Sequence, residues 1–428
     1  MKRILHIYSQ KPDFTGSGVY LQSFLQEAHN NSYKQAVIFG ASAQDNIAAF
    51  IKNGEIIVYP VVFKTSSLPF PVVGMSNVMP YESTQYKDLA GIKYHQWKEA
   101  FTSNIKKALE EFAPDIIISH HLWLLTSLAA NIAPNIPIVG ICHGTDIRLL
   151  KQEKSFYKEV VEGCSKLDAI AALTQFQKKE ISNCYRIPED RIFVAGGGFS
   201  SHIFYPGKCG LDNKHIKLVY AGKLSNSKGI PCLLKAYDGL KAKGHELELL
   251  IVGSGTGNEY AEILKAIEKC RNKVTFCGKV SQEKLGEIFR EAHIFVLPSF
   301  YEGLALVVIE AMASGLRVVT TEVPGLRQWL GSEINESGLI SYVQIPNLIN
   351  VDDPVPCELP MFEDNLKTSI EHQINELLTH GTILDSKVLM AIKNKSWAAV
   401  FGRVEDKMKL LSLATTSNIL SDKNCQYL

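Results

Sequence analysis

Long hydrophobic runs, an excess of one charge and a paired-cysteine pattern are all missing from this 428-residue chain. No apolar run reaches the length of a membrane-spanning helix, so the sequence predicts none. The formal net charge is only +1, which argues against a nucleic-acid partner held by broad electrostatics. Nine cysteines are scattered without metal-like spacing, which indicates reduced thiols and a cytoplasmic protein.

The first residues, Met1 to Tyr8, lack the apolar core and cleavage site of a signal peptide, and we predict that they form a first strand. Hydrophobic residues make up 46% of the chain and charged residues 21%, a balance typical of globular proteins. The length predicts two or three domains. No strongly basic amphipathic helix is present to predict attachment to a membrane surface.

Short apolar runs alternate with helical patterns along most of the chain. The runs near residues 4, 36, 56, 115, 137 and 169 are typical of buried strands, and the apolar stripe from Trp97 to Phe112 has helical spacing. This alternation predicts an α/β fold in which helices cover both faces of a parallel sheet. A second alternating set begins at Lys217 and predicts a second domain of the same kind.

A loop from Gly196 to Pro206, followed by polar residues, separates the two alternating sets. We therefore predict a first domain over residues 1–198, a linker over residues 199–216 and a second domain over residues 217–395. A helix is expected over residues 396–414. Residues 415–428 are predicted to form a tail, which lacks the apolar spacing of an element from Ser421 onward and is expected to be mobile there.

The segment from Phe295 to Gly315 places two glutamates around a helix start that is opened by glycine. Its apolar beginning is typical of a buried strand that Pro298 stops, and the run from Leu306 to Met312 is typical of a helix. Gly303 lies in the turn between them. This arrangement predicts a ligand site at the end of the strand.

Unpaired amides at a helix start favour an anion such as a nucleotide diphosphate. The amides expected to point outward here are those of Leu304, Ala305 and Leu306. Glu302 flanks them, and Glu310 lies about two helical turns deeper, where a carboxylate accepts paired hydrogen bonds from vicinal hydroxyls. The segment predicts a site for a diphosphate-linked sugar, with two solvated glutamates as the alternative interpretation.

The order Glu302-Gly-Leu, Glu310 and then Ala-Met-Ala-Ser-Gly resembles the signature of nucleotide-sugar glycosyltransferases of family 4, or group 1, which have the GT-B fold. The resemblance implies that Glu302 contacts hydroxyls of the donor sugar and that Glu310 holds the nucleotide ribose. It also implies two doubly wound, Rossmann-like domains that face a central cleft, the first for the acceptor and the second for the nucleotide sugar. The C-terminal helix is then expected to return to the first domain.

A second segment, Gly222 to Gly229, forms a glycine-bounded loop that carries Lys223 and Lys228 after a predicted strand. A lysine is a flexible point charge that compensates the charge growing on a departing phosphate. The family usually has Gly-Arg-Leu here, so Lys223 keeps the charge but loses the bidentate geometry of arginine. The resemblance implies that both lysines stabilise the leaving diphosphate, and two exposed lysines on a turn are the alternative.

Glycines after three predicted strands complete the expected donor site. Gly222 and Gly253 are expected near the nucleotide, because the cluster at Gly253 resembles the family's Val-Gly-Asp-Gly segment with Ser254 in place of the aspartate. Gly18 lies in a glycine turn that resembles the family's first loop, whose backbone approaches the diphosphate or the acceptor. An ordinary strand-to-helix turn is the alternative for Gly18.

The segment His143-Gly-Thr-Asp146 resembles the family's His-Gly-x-Asp segment and follows a predicted buried strand. A histidine at such a strand end donates a hydrogen bond to a sugar hydroxyl or steadies charge during bond cleavage. The resemblance implies that His143 contacts the donor sugar. A purely structural histidine is the alternative.

Adjacent His120 and His121 raise the question of a metal, which we answer in the negative. Neighbouring side chains on a strand point to opposite sides, and no carboxylate or thiol cluster completes a ligand set. We expect one of the two to line the acceptor side. No Asp-x-Asp sequence occurs, so we predict no metal and no cofactor, and lysines and helix amides take over the cation's role.

Residues 66–86 combine three prolines with several large apolar residues and fit neither predicted sheet. The segment is too broken for a helix and too apolar for a plain linker. Long irregular segments in compact domains are often functional. An acceptor-side loop or lid and a packed surface loop are the two interpretations.

The sequence therefore predicts a retaining, metal-independent glycosyltransferase of the hexosyl or N-acetylhexosaminyl type, with a UDP-linked donor taken from the family's habit. The acceptor offers a hydroxyl or another nucleophile and is a small molecule, a glycan, a peptide or a lipid-linked molecule. Two alternatives stay open: a sugar-nucleotide epimerase or hydrolase on the same fold, and a non-catalytic nucleotide-sugar-binding protein. We expect a cytoplasmic protein that lies at the inner face of the membrane only if its acceptor is lipid-linked.

Overall fold

The computed structural model describes residues 2–12, 15–50, 55–76, 79–207, 215–241, 244–350, 352–382 and 384–425, with side chains except at 49–50 and 414–425. The chain divides into two compact units, Met1–Gly197 with Trp397–Leu428 and Gly198–Ser396. Each unit has its own parallel sheet and its own hydrophobic core. The first unit is therefore built from both ends of the chain.

The first unit contains a parallel sheet whose strands are short and largely buried. The strands of this unit are β1 (Arg3–Ile7), β2 (Lys34–Ser42), β3 (Ile57–Phe63), β4 (Val73–Gly74), β5 (Thr84–Gln85), β6 (Ile116–His120), β7 (Ile138–Ile141), β8 (Ala169–Ala172) and β9 (Ile192–Val194). The main sheet has the order β3-β2-β1-β6-β7-β8-β9, and β4 pairs with β5 separately. Strands β6, β7 and β8 are buried along their whole length, which explains why β7 and β8 are entirely apolar and β6 is polar only at Ser119 and His120.

Helices connect these strands and cover the sheet. They are α1 (Gly16–Asn30), α2 (Ile47–Phe50), α3 (Ile92–Glu111), α4 (Leu124–Ile132), α5 (Thr145–Gln152), α6 (Tyr157–Cys164) and α7 (Gln175–Tyr185). The predicted apolar stripe lies on α3, where Trp97, Phe101 and Ile105 are fully buried. Their spacing places them on one face of the helix, and that face packs into the core.

The second unit repeats this plan in residues 198–396. Its strands are β10 (His215–Ala221), β11 (Glu246–Val252), β12 (Lys273–Gly278), β13 (Ile294–Leu297), β14 (Arg317–Thr321) and β15 (Ile340–Val343), and its helices are α8 (Ile230–Asp238), α9 (Gly257–Glu268), α10 (Gln282–Glu291), α11 (Leu306–Ala313), α12 (Leu326–Leu330), α13 (Ser332–Asn335), α14 (Leu359–His380) and α15 (Ser386–Lys393). The strand order is β12-β11-β10-β13-β14-β15, and all neighbours are parallel.

Both sheets grow in two directions from their first strand, so the strand order reverses between β1 and β6 and between β10 and β13. This is the doubly wound arrangement, in which ligands bind beyond the carboxyl ends of the strands at the reversal. The predicted α/β class, with a doubly wound parallel sheet in each of two units, is confirmed. The fold thereby marks the loops after β10 and β13 as the place to look for a ligand.

The last helix, α16 (Trp397–Cys425), belongs to the first unit. Its Trp397 ring lies 4.8 Å from the ring of Tyr20, and its Phe401 ring lies 5.4 Å from that of Phe24, both on α1. The prediction that a C-terminal helix packs on the first domain is confirmed. No helix within the described ranges is both long and apolar enough to cross a membrane.

Two predicted boundaries need correction. The predicted helix over 396–414 continues to Cys425, because no proline or glycine after Gly402 stops it. Residues 415–425 are therefore helical rather than a tail, and 426–428 lie outside the described residues. Strand β10 begins at His215, before the predicted start at 217, and Phe199 and Phe204 of the predicted linker are buried in the second core.

The residues described between 66 and 86 pack onto the first core. Phe70, Val72 and Met75 are almost completely buried, and the β4–β5 pair holds the two arms of the segment together. The Met75 amide donates to Gln10 Oε1 at 3.4 Å, just beyond the carboxyl end of β1. The described part of this segment is therefore packed on the core, and its predicted place on the acceptor side stays a prediction.

Candidate functional site

The loops after β10 and β13 touch each other at the strand-order reversal of the second sheet. The Phe300 amide donates to the Ser227 carbonyl at 3.0 Å. Between them Gly229 adopts a left-handed φ of 69°, and a Cβ added there would lie 2.1 Å from the Pro298 carbonyl oxygen. Only glycine fits both the conformation and the close approach. The glycine after Lys228 thus holds the two loops in register.

This contact brings two predicted site residues together. Lys228 Nζ lies 2.8 Å from Glu302 Oε1 and donates to the Tyr301 carbonyl at 3.0 Å. The two side chains keep 23% and 17% of their surface exposed, so solvent and small ligands reach the ion pair. A cation for phosphate and a carboxylate for hydroxyls therefore stand side by side.

Lys223 is placed differently from Lys228. It is exposed, and its backbone carbonyl accepts a hydrogen bond from the Tyr220 hydroxyl at 2.8 Å, which fixes the turn after β10. The neighbouring Leu224 amide donates to the Ser254 carbonyl at 2.9 Å. The turn is thus rigid while the Lys223 side chain extends into solvent.

Gly222 and Gly253 adjoin each other at the carboxyl ends of β10 and β11. A Cβ at Gly253 would lie 1.8 Å from the Gly222 carbonyl oxygen, and Gly253 has a φ of 142°. Its amide donates to the carbonyl of Gly278, the last residue of β12, at 2.8 Å. Gly253 thus meets backbone at this edge of the sheet, whereas a Cβ at Gly222 would lie 2.6 Å from the Tyr220 hydroxyl.

The start of α11 differs from the prediction at one amide. The Leu306 amide donates to the Leu304 carbonyl at 2.8 Å, so it is not free for a ligand. This tight turn forms because the backbone at Ala305, with φ −76° and ψ 68°, curls back just before the helix. Within the described ranges the amides of Leu304 and Ala305 have no protein acceptor, and Gly303 beside them is exposed.

Glu310 lies on α11 with only 8% of its surface exposed. Within the described part of the chain its carboxyl group has no hydrogen-bond or ion-pair partner. Burial raises the pKa of this carboxyl to about 7, because the charged form is poorly solvated. A buried acceptor without a partner is costly unless a ligand satisfies it.

Gly18 in the first unit lies in the first turn of α1, and its predicted approach to the diphosphate or the acceptor stays a prediction. Its amide donates to Thr15 Oγ1 at 3.1 Å, which caps the start of α1. Thr15 and Ser17 in turn share hydrogen bonds with the Tyr8 hydroxyl, both at 2.9 Å. The Gly18 amide is therefore engaged in capping the helix.

His143 lies just after β7, with its ring centroid 5.0 Å from that of Tyr20 and 5.6 Å from that of His120. Its Nε2 atom is buried and finds no partner among the described residues. Burial, with His121 as a smaller cause, lowers the pKa of His143 to about 3. The ring is therefore neutral near pH 7.

Asp146, the last residue of the His-Gly-Thr-Asp segment, holds the loops after β6 and β7 together through hydrogen bonds. It is fully buried and accepts hydrogen bonds from the Leu122 amide at 2.8 Å, the His143 amide at 3.1 Å and His121 Nδ1 at 3.2 Å. Burial alone would raise its pKa, but His121 and these amides hold the pKa below its usual value. The spacing of three residues between His143 and Asp146 is the feature of the sequence that could have predicted this hydrogen bond.

His120 and His121 are both buried, at 1% and 2% exposure, so neither lines a surface as expected. His121 has a left-handed φ of 76°, which breaks the alternation of the strand. Both rings therefore join the same cluster, with His121 lying 4.7 Å and His120 5.6 Å from His143. Within the described residues no group of three His, Cys, Asp or Glu side chains is arranged to hold a metal ion.

Two family models match successive parts of the chain. Glycosyltransferase Family 4 matches residues 80–200, and Glycosyl transferases group 1 matches residues 203–343. The first match contains His143, and the second contains Lys228, Glu302 and Glu310. The first match ends at residue 200 and the second begins at residue 203, close to the division between the two units at Gly197 and Gly198.

The chain spans between about half and three quarters of the length of the curated relatives described here. An uncharacterized glycosyltransferase of Methanocaldococcus jannaschii is 26% identical over 63% of this chain and 76% of its own. A D-inositol 3-phosphate glycosyltransferase of Pseudarthrobacter chlorophenolicus is 27% identical over 60% of this chain and 66% of its own. An O-antigen chain mannosyltransferase B of Escherichia coli is 28% identical, and 51% of its length is covered.

Solved structures share the fold over nearly the whole chain. A glycosyltransferase from Rickettsia africae superposes with a TM-score of 0.68 at 15% identity, covering 95% of this chain and 98% of its own. HepE of Anabaena, solved in complex with UDP, superposes with a TM-score of 0.67 at 16% identity, covering 96% and 100%.

Proposed function

We propose that this chain, which belongs to the group 1, family 4 glycosyltransferases with the GT-B fold, transfers a sugar from a UDP-sugar to an acceptor nucleophile with retention of configuration. The observation that carries the proposal is the ion pair of Lys228 and Glu302 at the carboxyl edge of the second sheet, with the buried Glu310 on the helix that follows Glu302. Uridine is chosen because HepE, a relative in fold, was solved with UDP.

The proposed donor fits the chemistry of each side chain. Glu310 is a buried carboxylate without a partner, and a ribose offers it two vicinal hydroxyl donors. The diphosphate lies against Lys228, Lys223 and the amides of Leu304 and Ala305. Glu302 accepts from hydroxyls of the sugar, beside the phosphates.

In the proposed reaction the bond between the sugar C1 and the diphosphate oxygen breaks, and its electron pair stays on the diphosphate. Lys228 and Lys223 stabilise the charge that grows on this leaving group. A new bond forms between C1 and the acceptor oxygen. The acceptor proton passes to an oxygen of the departing diphosphate, so no side-chain base is required.

Retention is proposed from the family resemblance. Burial lowers the pKa of His143 to about 3, so this imidazole is a weak base near neutral pH. We assign to His143 a hydrogen bond to a donor-sugar hydroxyl. Its Nε2 atom is buried without a partner among the described residues.

The experiment that tests the proposal is binding of UDP-, GDP-, ADP- and TDP-sugars to the purified protein without added metal, by calorimetry, with Glu310→Ala alongside. Selective binding that Glu310→Ala weakens supports the donor site. Lys228→Ala is expected to lower turnover by about 100-fold or more, because one leaving-group stabiliser is lost. Wild-type rates in Lys228→Ala would contradict its role.

Product analysis separates the alternatives. Release of free sugar or of an epimerised nucleotide sugar without an acceptor would identify a hydrolase or an epimerase. Saturable donor binding with no turnover across a panel of sugar, glycan, peptide and lipid-linked acceptors would identify a binding protein. Transfer with an unchanged anomeric configuration, read by NMR, is the result we expect.

A further inference from the structure

We propose that Glu302 determines specificity by competing with phosphate for Lys228, so that the site discriminates against a bare nucleotide diphosphate and in favour of one that carries a sugar. This inference rests on the proposed function and goes beyond it, because it concerns the ligand-free site. It is carried by the contact of 2.8 Å between Lys228 Nζ and Glu302 Oε1.

The ammonium of Lys228 is largely committed before any ligand arrives. Of its three N–H donors, one meets Glu302 Oε1 at 2.8 Å and one meets the Tyr301 carbonyl at 3.0 Å. An incoming phosphate must therefore share the ammonium with a carboxylate or displace it. Two anions that face one cation repel each other, and this repulsion opposes the binding of the diphosphate.

The loops that carry the pair cannot easily move apart to relieve this repulsion. Phe300 is hydrogen-bonded to Ser227 at 3.0 Å, and Gly229 lies against the Pro298 carbonyl. The pair is also only about one-fifth exposed, so water screens the charges weakly. Glu302 therefore remains near the phosphate subsite when the diphosphate is bound.

A sugar on the diphosphate changes the balance because its hydroxyls donate hydrogen bonds to Glu302. The carboxylate then has a partner other than Lys228, and the ammonium is released to the phosphate. The same carboxylate thus opposes the product diphosphate and favours the donor. After transfer, the nucleotide diphosphate loses this compensation and is expected to leave more readily.

The test is calorimetric binding of inorganic pyrophosphate, UDP and UDP-glucose to the wild type and to Glu302→Gln at a fixed pH. We expect Glu302→Gln to bind pyrophosphate and UDP about tenfold more tightly than the wild type, within the usual range of coupling between charged groups. The increase in affinity is expected to be smaller for UDP-glucose. The ratio of UDP affinity to UDP-glucose affinity is therefore expected to be higher in Glu302→Gln than in the wild type.

Two further variants isolate the contact. Glu287→Gln removes the same charge from an ion pair of the same length, 2.8 Å to Lys284, at an exposed place on α10, and is expected to leave pyrophosphate affinity unchanged. In Lys228→Met, adding Glu302→Gln is expected to give no further gain, because the cation for which they compete is gone.

The inference is overturned if Glu302→Gln binds pyrophosphate and UDP no better than the wild type, or if the gain persists in Lys228→Met. Failure of the proposed function looks different. In that case no nucleotide sugar binds the wild type at all, while the pyrophosphate measurement still reports the competition at Lys228.

Discussion

Glu310 shows at the scale of a single residue how a buried acid links donor binding to pH. Its pKa of about 7 in the free protein means that the carboxyl is half protonated near neutrality. Ribose hydroxyls donate to the ionised form, so the proton must leave before both acceptor oxygens are available. Binding is therefore expected to release a proton below about pH 7.

The first prediction is that affinity for a nucleotide sugar, whose phosphates do not titrate near neutrality, weakens as the pH falls below about 7. The loss is up to about tenfold per pH unit, and affinity is constant above pH 7. Calorimetry between about pH 5.5 and 8.5 measures it. Glu310→Gln is expected to bind weakly with no such pH dependence, and a pH-dependent variant would rule out Glu310 as the cause.

A second prediction concerns stability. The unfolded carboxyl ionises above about pH 4.5 and the folded one above about 7, so between these values the folded state holds more protons and stability falls as pH rises. Glu310→Gln removes this cost. Its free energy of unfolding at pH 8 is expected to rise by up to about 3 kcal/mol, with no gain below pH 4.5. An equal gain in denaturant titrations at both pH values would contradict this account.

At the scale of elements, the turn from β10 into α8 depends on one glycine. Gly229→Ala forces a Cβ toward the Pro298 carbonyl, 2.1 Å away, in a left-handed conformation. We expect it to destabilise the protein by about 2 kcal/mol or more and to lower turnover by displacing Lys228. Denaturant titration and steady-state rates measure the two effects.

Gly338→Ala is the matched control for that prediction. Gly338 also has a left-handed φ, of 73°, but a Cβ there meets nothing within 4 Å. Its conformational cost is expected to be about 1 kcal/mol, with turnover unchanged. If the two variants were equally stable, the close approach to Pro298 would not matter.

At the scale of the whole molecule, the first unit is complete only when α16 packs on α1. Phe401→Ala leaves a cavity beside Phe24 and is expected to cost about 3–5 kcal/mol. Thermal unfolding should show the first unit melting earlier, while donor binding by the second unit persists at low temperature. Leu410→Ala, at a side chain that is 62% exposed, is the control and is expected to be neutral.

The sequence by itself determined the α/β class, the repeated plan of two doubly wound units and the segments that carry the site. Apolar periodicity is a local property, so the β13 run and the α3 stripe could be recognised without tertiary information. Glu302 and Glu310 lie in one short segment and Lys228 in another, so each segment could be recognised by itself. The return of the last helix followed from the family resemblance.

Only the tertiary structure decided which groups are engaged. The ion pair of Lys228 with Glu302 joins loops that are far apart in sequence. The capping at Gly18 and the turn at Leu306 depend on the exact backbone path, and the turn occupies the Leu306 amide, which the sequence predicted to be free. His120, His121 and Asp146 are all buried, and the backbone at His121 is left-handed, neither of which the sequence predicted. Hydrogen bonding and desolvation are properties of the packed fold, which residue spacing does not encode.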